Sequence, residues 1–296
     1  MNKKVALLVV YNHRYDKNIK RIEEIYASRF GNIFHVVPFY DAKIDGVNVI
    51  PVYENSFFFQ GYISQAYTHI NRMGFTHFLI IADDLILNPE VNEYNLWEKV
   101  GIKNRDCFIP SKLIELQTCK NYWGHIWDAV SYRINISGVE VKNILPSVEE
   151  AKKTFREFGL STKKIPFSRL YSGCIKSTLY NAIKFHPWSR NLSYPIVGGY
   201  SDTFFITADV MDRFCTYLGA FAATNLFVEL AIPTTLILTV EKNNLKLDHD
   251  IKLHNGALWP DTISFLDKYE YSLDNLFNDF PKDLFFIHPI KLSKWK

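Results

Sequence analysis

Two adjacent carboxylates, Asp83 and Asp84, stand inside an otherwise apolar run, FLIIADDLIL at residues 78–87. An ionised carboxylate removed from water is costly unless a partner compensates it. Hard divalent cations are such partners. Mg²⁺ and Mn²⁺ take carboxylate oxygens and complete their shells with water and substrate phosphate oxygens. The pair therefore reads either as a solvated turn or as the protein side of a metal site. Two further acids stand out. Asp202 follows Gly198-Gly199, where the backbone can come close to a substrate. Glu229 lies in a stretch that is apolar almost all round, four residues after Asn225, the spacing of one helix face. A carboxylate on a buried helix has a raised pKa or a dedicated partner, and a raised pKa suits a general base. The last cluster lies near the C-terminus. His288 follows the apolar run 284–287, with Lys291 and Lys294 close behind. A histidine can ligate a metal, and a lysine can stabilise an anionic leaving group.

These residues need elements to carry them. Val5–Val10 is a continuous apolar run, the pattern of a strand covered on both faces, as in a parallel sheet. Helical periodicity follows over residues 18–30, closed by Gly31. Strands are expected at 33–37 and 47–52, a helix at 61–73 stopped by Gly74, and a strand at 78–82. Strand and helix alternating in this way predict an α/β fold with an open, mostly parallel twisted sheet flanked by helices. Ligands bind such sheets beyond the carboxyl ends of the strands, and Asp83 and Asp84 are at one of those ends. Further along, 107–110 reads as a strand. Residues 147–158 read as a helix with a Ser147/Glu150 capping box and a Gly159 stop. Residues 112–138 are rich in Trp and Tyr and resist assignment. A strand at 204–207, a helix at 209–218 broken by Gly219, a helix at 221–230 and a strand at 234–240 complete the reading.

The chain has 296 residues, 48% hydrophobic and 22% charged, which suits a packed globular core. Residues 1–296 read as one compact domain, or as a nucleotide half of about 1–110 and an acceptor half of about 111–296 sharing one sheet. A net charge of +3 does not point to a nucleic-acid partner. Four scattered cysteines (Cys107, Cys119, Cys174, Cys215) with no C-x-x-C spacing suggest reduced thiols and a cytoplasmic setting. The longest apolar segment, residues 218–240, is interrupted by Asn225, Glu229 and Pro233, so no membrane span is expected. The basic C-terminal tail is a candidate for peripheral contact with anionic lipid at the inner face of a membrane.

The apolar strand running into Asp83 and Asp84 resembles the D-x-D region of GT-A glycosyltransferases. In that family clustered aspartates hold a metal and a nucleotide diphosphate, often as three consecutive acids. Here the first of the three places is Ala82. The resemblance implies metal binding at Asp84, with Asp83 facing either metal or nucleotide. The loop Tyr11-Asn12-His13-Arg14 resembles that family's nucleotide grip, implying base and ribose contacts from Tyr11, Asn12 and Arg14, with Asp41 as a further contact. The same resemblance implies that Glu229 or Asp202 deprotonates the acceptor hydroxyl. It also implies that His288 returns to the metal and that Lys291 meets the diphosphate. His254, in a segment similar to the His-x-x-Gly stretch of glycogenin-like transferases but one residue short, is the second metal candidate. The function implied is metal-assisted (Mn²⁺ or Mg²⁺) transfer of a sugar, hexosyl by analogy, from a nucleotide diphosphate donor to a hydroxyl of a glycan or lipid-linked glycan. Cell-surface polysaccharide or lipopolysaccharide biosynthesis is the expected setting. Trp123, Trp127 and Trp188 would suit stacking on sugar rings. Two rivals stand beside it. A sugar nucleotidyltransferase should have a glycine-rich loop after its first strand, and no glycine precedes Gly31. A non-catalytic nucleotide- or carbohydrate-binding protein on the same fold is the other.

Overall fold

The computed structural model describes residues 4–120, 122–135, 140–185 and 190–296. The first part alternates strand and helix: β1 (Val5–Val10), α1 (Ile19–Tyr26), β2 (Ile33–Pro38), β3 (Asn48–Val52), α2 (Gln60–Ile70) and β4 (His77–Ala82). Next come β5 (Ile86–Leu87), α3 (Leu96–Val100) and β6 (Cys107–Phe108). The middle is helical, with α4 (Ile126–Ser131), α5 (Val148–Glu157), α6 (Phe167–Leu170) and α7 (Ile175–Phe185). The remainder is β7 (Thr203–Thr207), α8 (Ala208–Ala223), α9 (Val228–Thr239), β8 (Leu245–Lys246), α10 (Leu273–Asn278) and β9 (Phe286–Ile287).

Seven strands form one open sheet in the order β3-β2-β1-β4-β7-β6-β8, and β5 pairs with β9 in a small second sheet. In the large sheet β7 runs antiparallel to its neighbours β4 and β6, and the other pairs are parallel. The expected α/β architecture is the observed one. The apolar run of β1 follows from burial on both faces. Val5, Leu7 and Val9 pack into one core, and Ala6, Leu8 and Val10 into the other. A third core lies beneath α4, where Trp127 and Val130 meet Phe221, Leu226 and Leu230.

The Ser147/Glu150 capping box starts α5 as its sequence predicts, and Gly159 follows its end with φ 78°. Three expectations after residue 208 are overturned. Gly219 does not break α8. A β-carbon there would come within 2.9 Å of Ser64 Oγ, so the glycine lets α8 approach α2 closely. The break falls instead at Asn225, in the left-handed region with φ 57°, and it separates α8 from α9. Asn225 and Glu229 therefore do not share a helix face. Residues 234–240, rich in threonine and branched aliphatics, are not a strand. Residues 234–239 continue α9, which Val240 caps, and the Thr235 and Thr239 hydroxyls donate back to the carbonyls of Ala231 and Thr235 at 2.7 Å. Pro233 stands inside this helix. It has no N–H for the carbonyl of Glu229, and the N–H of Gly199 supplies that bond at 3.0 Å. The Gly198-Gly199 loop and the Glu229 turn are thereby tied together.

Candidate active site at the strand ends

β1 and β4 end side by side, with Val10 opposite Ala82. The loops that leave them share one edge of the sheet. Asp83 is fixed there by its N–H on the Val10 carbonyl at 3.0 Å. The residue is only 4% exposed, and its carboxylate accepts from the Asn18 side chain and the Asn12 backbone. Burial, and then the charge of Asp84, push the Asp83 carboxyl up to about 7. Asp202 arrives from the antiparallel neighbour. Its carbonyl accepts the Ala82 N–H at 2.8 Å, one residue before β7 begins. A carboxylate from β7 thus stands beside the place where the D-x-D pattern has alanine.

The chain end reaches the same spot through the small sheet. β5 pairs antiparallel with β9, Ile86 opposite Ile287. Tyr26 holds β5 in place, its hydroxyl donating to the Leu85 carbonyl and accepting from the Leu87 N–H, both at 3.1 Å. The Ile290 N–H then closes on the Asp84 carbonyl at 2.6 Å. This pairing sets His288 Nε2 3.1 Å from Asp84 Oδ1 and 3.9 Å from Asp202 Oδ2. Burial would lower the His288 pKa, but Asp84, Asp202 and Asp83 more than reverse it, so the imidazole is raised above its ordinary value. Asp202 is raised as well, by burial first and then by Asp84, against the opposing charge of His288. Beside them the Tyr200 ring stacks on Phe286 and meets the His288 ring edge at 5.7 Å. Its buried hydroxyl faces Asp202 without a well-formed hydrogen bond.

Two cavities open on either side of this cluster. The first, about 290 Å³, is lined by Asn12, His13, Tyr15, Asn18, Asp83, Asp84 and the Lys291–Ser293 segment. The second, about 490 Å³, is lined among others by Trp123, His125, Tyr200, Glu229 and Trp259. His288 links the two, through Asp84 on one side and Tyr200 on the other. Glu229 is half-buried on the wall of the second cavity. Burial, then the charge of Asp202, push it up to about 7 against the pull of His125 and His288.

Some residues singled out in the sequence lie elsewhere. Tyr11 is fully buried, its hydroxyl bonded to His35 Nδ1 at 2.8 Å, and His35 in turn meets Glu23 at 2.8 Å. The ring belongs to the core and does not face the first cavity. The aromatic that does is Tyr15, half-exposed and edge-on to His13. Its position past the end of the strand is the signal in the sequence that distinguishes it from Tyr11. Arg14 and Asp41 pair with each other on the surface, and neither lines the first cavity. His254 Nδ1 lies 3.1 Å from the Asp248 carbonyl and 3.8 Å from its carboxylate, engaged away from Asp84. Its segment matters in another way. A β-carbon on Gly256 would fall 1.7 Å from the Phe286 carbonyl oxygen, so only glycine lets residues 254–258 lie against β9. Trp127 is core, whereas Trp123 lines the second cavity. Trp188 lies outside the described residues. The basic tail is not loose, since Trp295 is buried and the Lys296 N–H bonds the Tyr271 carbonyl at 2.8 Å.

Among the described residues, no three His, Cys, Asp or Glu side chains are drawn together into a ready-made metal cage. The donor set nevertheless fits a cation that completes its shell from a substrate. Asp84 Oδ1 is buried without a well-formed hydrogen bond, with one imidazole and a second carboxylate within 4 Å of each other around it.

No protein-family model matches the chain, and no curated protein does. Among solved structures it is similar to core-mannan synthase A (CmsA/Ktr4) from Aspergillus fumigatus in a Mn/GDP form. The likeness has 13% identity and a TM-score of 0.38 over 84% of this chain and 74% of that one. No described helix is long and apolar enough to cross a membrane.

Proposed function

We propose that this protein is a metal-assisted glycosyltransferase that takes a nucleotide diphosphate sugar and passes the sugar to a hydroxyl of a glycan. The observation that carries the reading is the placement of Asp84, Asp202 and His288 between two unlike cavities. The first suits a nucleoside diphosphate, with Tyr15 to stack on a base, Asn12 and Asn18 to hydrogen-bond it and Lys291 to meet phosphate. Asp83 borders the same cavity. The second suits a sugar acceptor, with Trp123 and Trp259 to cover apolar ring faces and Glu229 to receive a proton.

Asp84 and His288 would hold Mn²⁺ or Mg²⁺, with Asp202 alongside in the place left by Ala82. Bound there, the cation would neutralise charge developing on the leaving diphosphate. Lys291 adds a second positive charge on the same side. Glu229 accepts the proton of the attacking hydroxyl. A carboxyl near 7 is about half ionised at neutral pH, and in that form it is a far stronger base than an ordinary carboxylate. Of the two candidates for this role Glu229 is preferred, because Asp202 is occupied with His288 and borders the metal side. By analogy the acceptor is proposed to belong to the cell-surface polysaccharide or lipopolysaccharide class; the aromatic lining of the cavity supports a sugar ring there.

Titration calorimetry with Mn²⁺ and a panel of nucleoside diphosphates tests the reading. Metal-dependent binding of at least one nucleotide is expected, and Asp84→Ala should weaken it by two orders of magnitude or so. If no nucleotide binds with or without metal, the transferase reading fails. Binding without turnover of any donor sugar would leave a binding module instead.

A further inference from the structure

We propose that α7 and the segment around it form a docking face for an anionic lipid bilayer. The helix is apolar on two sides. Its inner side packs Ala182 and Phe185 against the third core, with Phe185 stacked on Trp127, and buries Thr178. Its outer side presents Ile175, Leu179 and Ile183, spaced four apart, and Tyr180. All four are exposed, Ile175 and Ile183 by about 70%. A surface helix ordinarily turns polar residues to solvent, and a contiguous outward apolar row marks a binding surface.

Charge identifies the occupant. Between Glu157 and Asp202 the sequence has no Asp or Glu, while Lys163, Lys164, Lys176 and Lys184 are all exposed. Lys176 and Lys184 stand on α7 itself, flanking the outward apolar row. α4 packs against α7, and two acids of that region are engaged. Asp128 on α4 pairs with His125 at 2.8 Å, and Glu115 accepts the Ser161 N–H. Apolar side chains between lysines, with half-exposed Phe167 and Tyr171 just before the helix, are the composition of a helix lying in the headgroup layer. A second copy of the chain fits poorly. Two-fold pairing would set this uniformly cationic segment against itself. The face is independent of the two cavities, so the proposal does not rest on the catalytic reading.

Flotation of the full chain with vesicles tests it. Phosphatidylcholine alone should retain little protein. Phosphatidylcholine mixed with phosphatidylglycerol should float it, and added salt should release it. Leu179→Glu with Ile183→Glu, and separately Lys176→Glu with Lys184→Glu, should each lower binding roughly tenfold or more. Thermal melts should stay near that of the parent, because the residues are exposed. Equal binding of parent and both variants, or no preference for the anionic vesicles, overturns the proposal. So does sedimentation showing that the parent is a dimer which the Leu179/Ile183 variant dissolves, since the face would then pair copies of the chain.

Discussion

Glu229 and Asp83 are both raised to about 7, but they have different consequences. Glu229 faces a cavity, so its titration should appear in catalysis. Activity should rise with pH through about 7 as the carboxyl loses its proton. Glu229→Gln should retain donor binding and remove most turnover together with that acidic limb, as read from kcat/KM against pH. If turnover survives, Asp202 becomes the base. Asp83 is almost wholly buried and is not the proposed base, so its titration should appear in stability. Its folded carboxyl holds a proton up to about 7, whereas an ordinary aspartate releases it near 3.8. Between those values the folded state binds more protons than the unfolded one, so stability falls as pH rises through the window. The loss at pH 8 is on the order of a few kcal/mol. Asp83→Asn should therefore melt higher than the parent at pH 8 without metal, and the gain should close toward pH 4. A constant difference at all pH values would contradict this origin.

The decisive elements are short ones. The two residues of β5 and the two of β9 hold His288 against Asp84, and Gly256 lets the 254–258 segment brace β9 from the other side. Gly256→Ala forces backbone apart. It should cost at least about 2 kcal/mol and lower metal-dependent nucleotide affinity, measured by denaturant unfolding and calorimetry on the same preparation. Unchanged affinity would mean that His288 does not depend on this brace. The alternating elements of the first half were legible because each has length and a clear period. Two-residue strands have no period to read, and the Trp- and Tyr-rich middle offered no repeat. The second half of α9 misled because threonine and branched aliphatics favour strands when seen alone. In the fold its threonines satisfy themselves on the helix backbone, and Gly199 replaces the donor that Pro233 lacks.

At the scale of the molecule, the C-terminal segment belongs to the core. Phe285, Phe286, Ile287, Ile290, Leu292 and Trp295 are buried with β1 and α1 in one cluster. Each such side chain contributes roughly 1.5–3 kcal/mol, so their sum rivals the roughly 5–15 kcal/mol net stability of a domain. Removal of residues 284–296 should abolish the cooperative thermal transition along with the site. A truncated chain that melts near the parent temperature would show the segment to be an appendage. One stretch of chain thus contributes both to the large core and to the candidate site.

The α/β class is legible in one dimension, because continuous apolar runs alternating with helical periods permit few other folds. The sequence by itself also singled out Asp83, Asp84, Asp202, Glu229 and His288, since acids and a histidine beside apolar runs are conspicuous there. Tertiary structure alone decided which of them meet. An antiparallel strand sets Asp202 beside Ala82 and a four-residue sheet sets His288 against Asp84, pairings between residues more than a hundred positions apart. Tertiary structure also moved Tyr11 into the core and Tyr15 into the cavity. Position relative to the strand end, not residue type, determines which ring faces solvent.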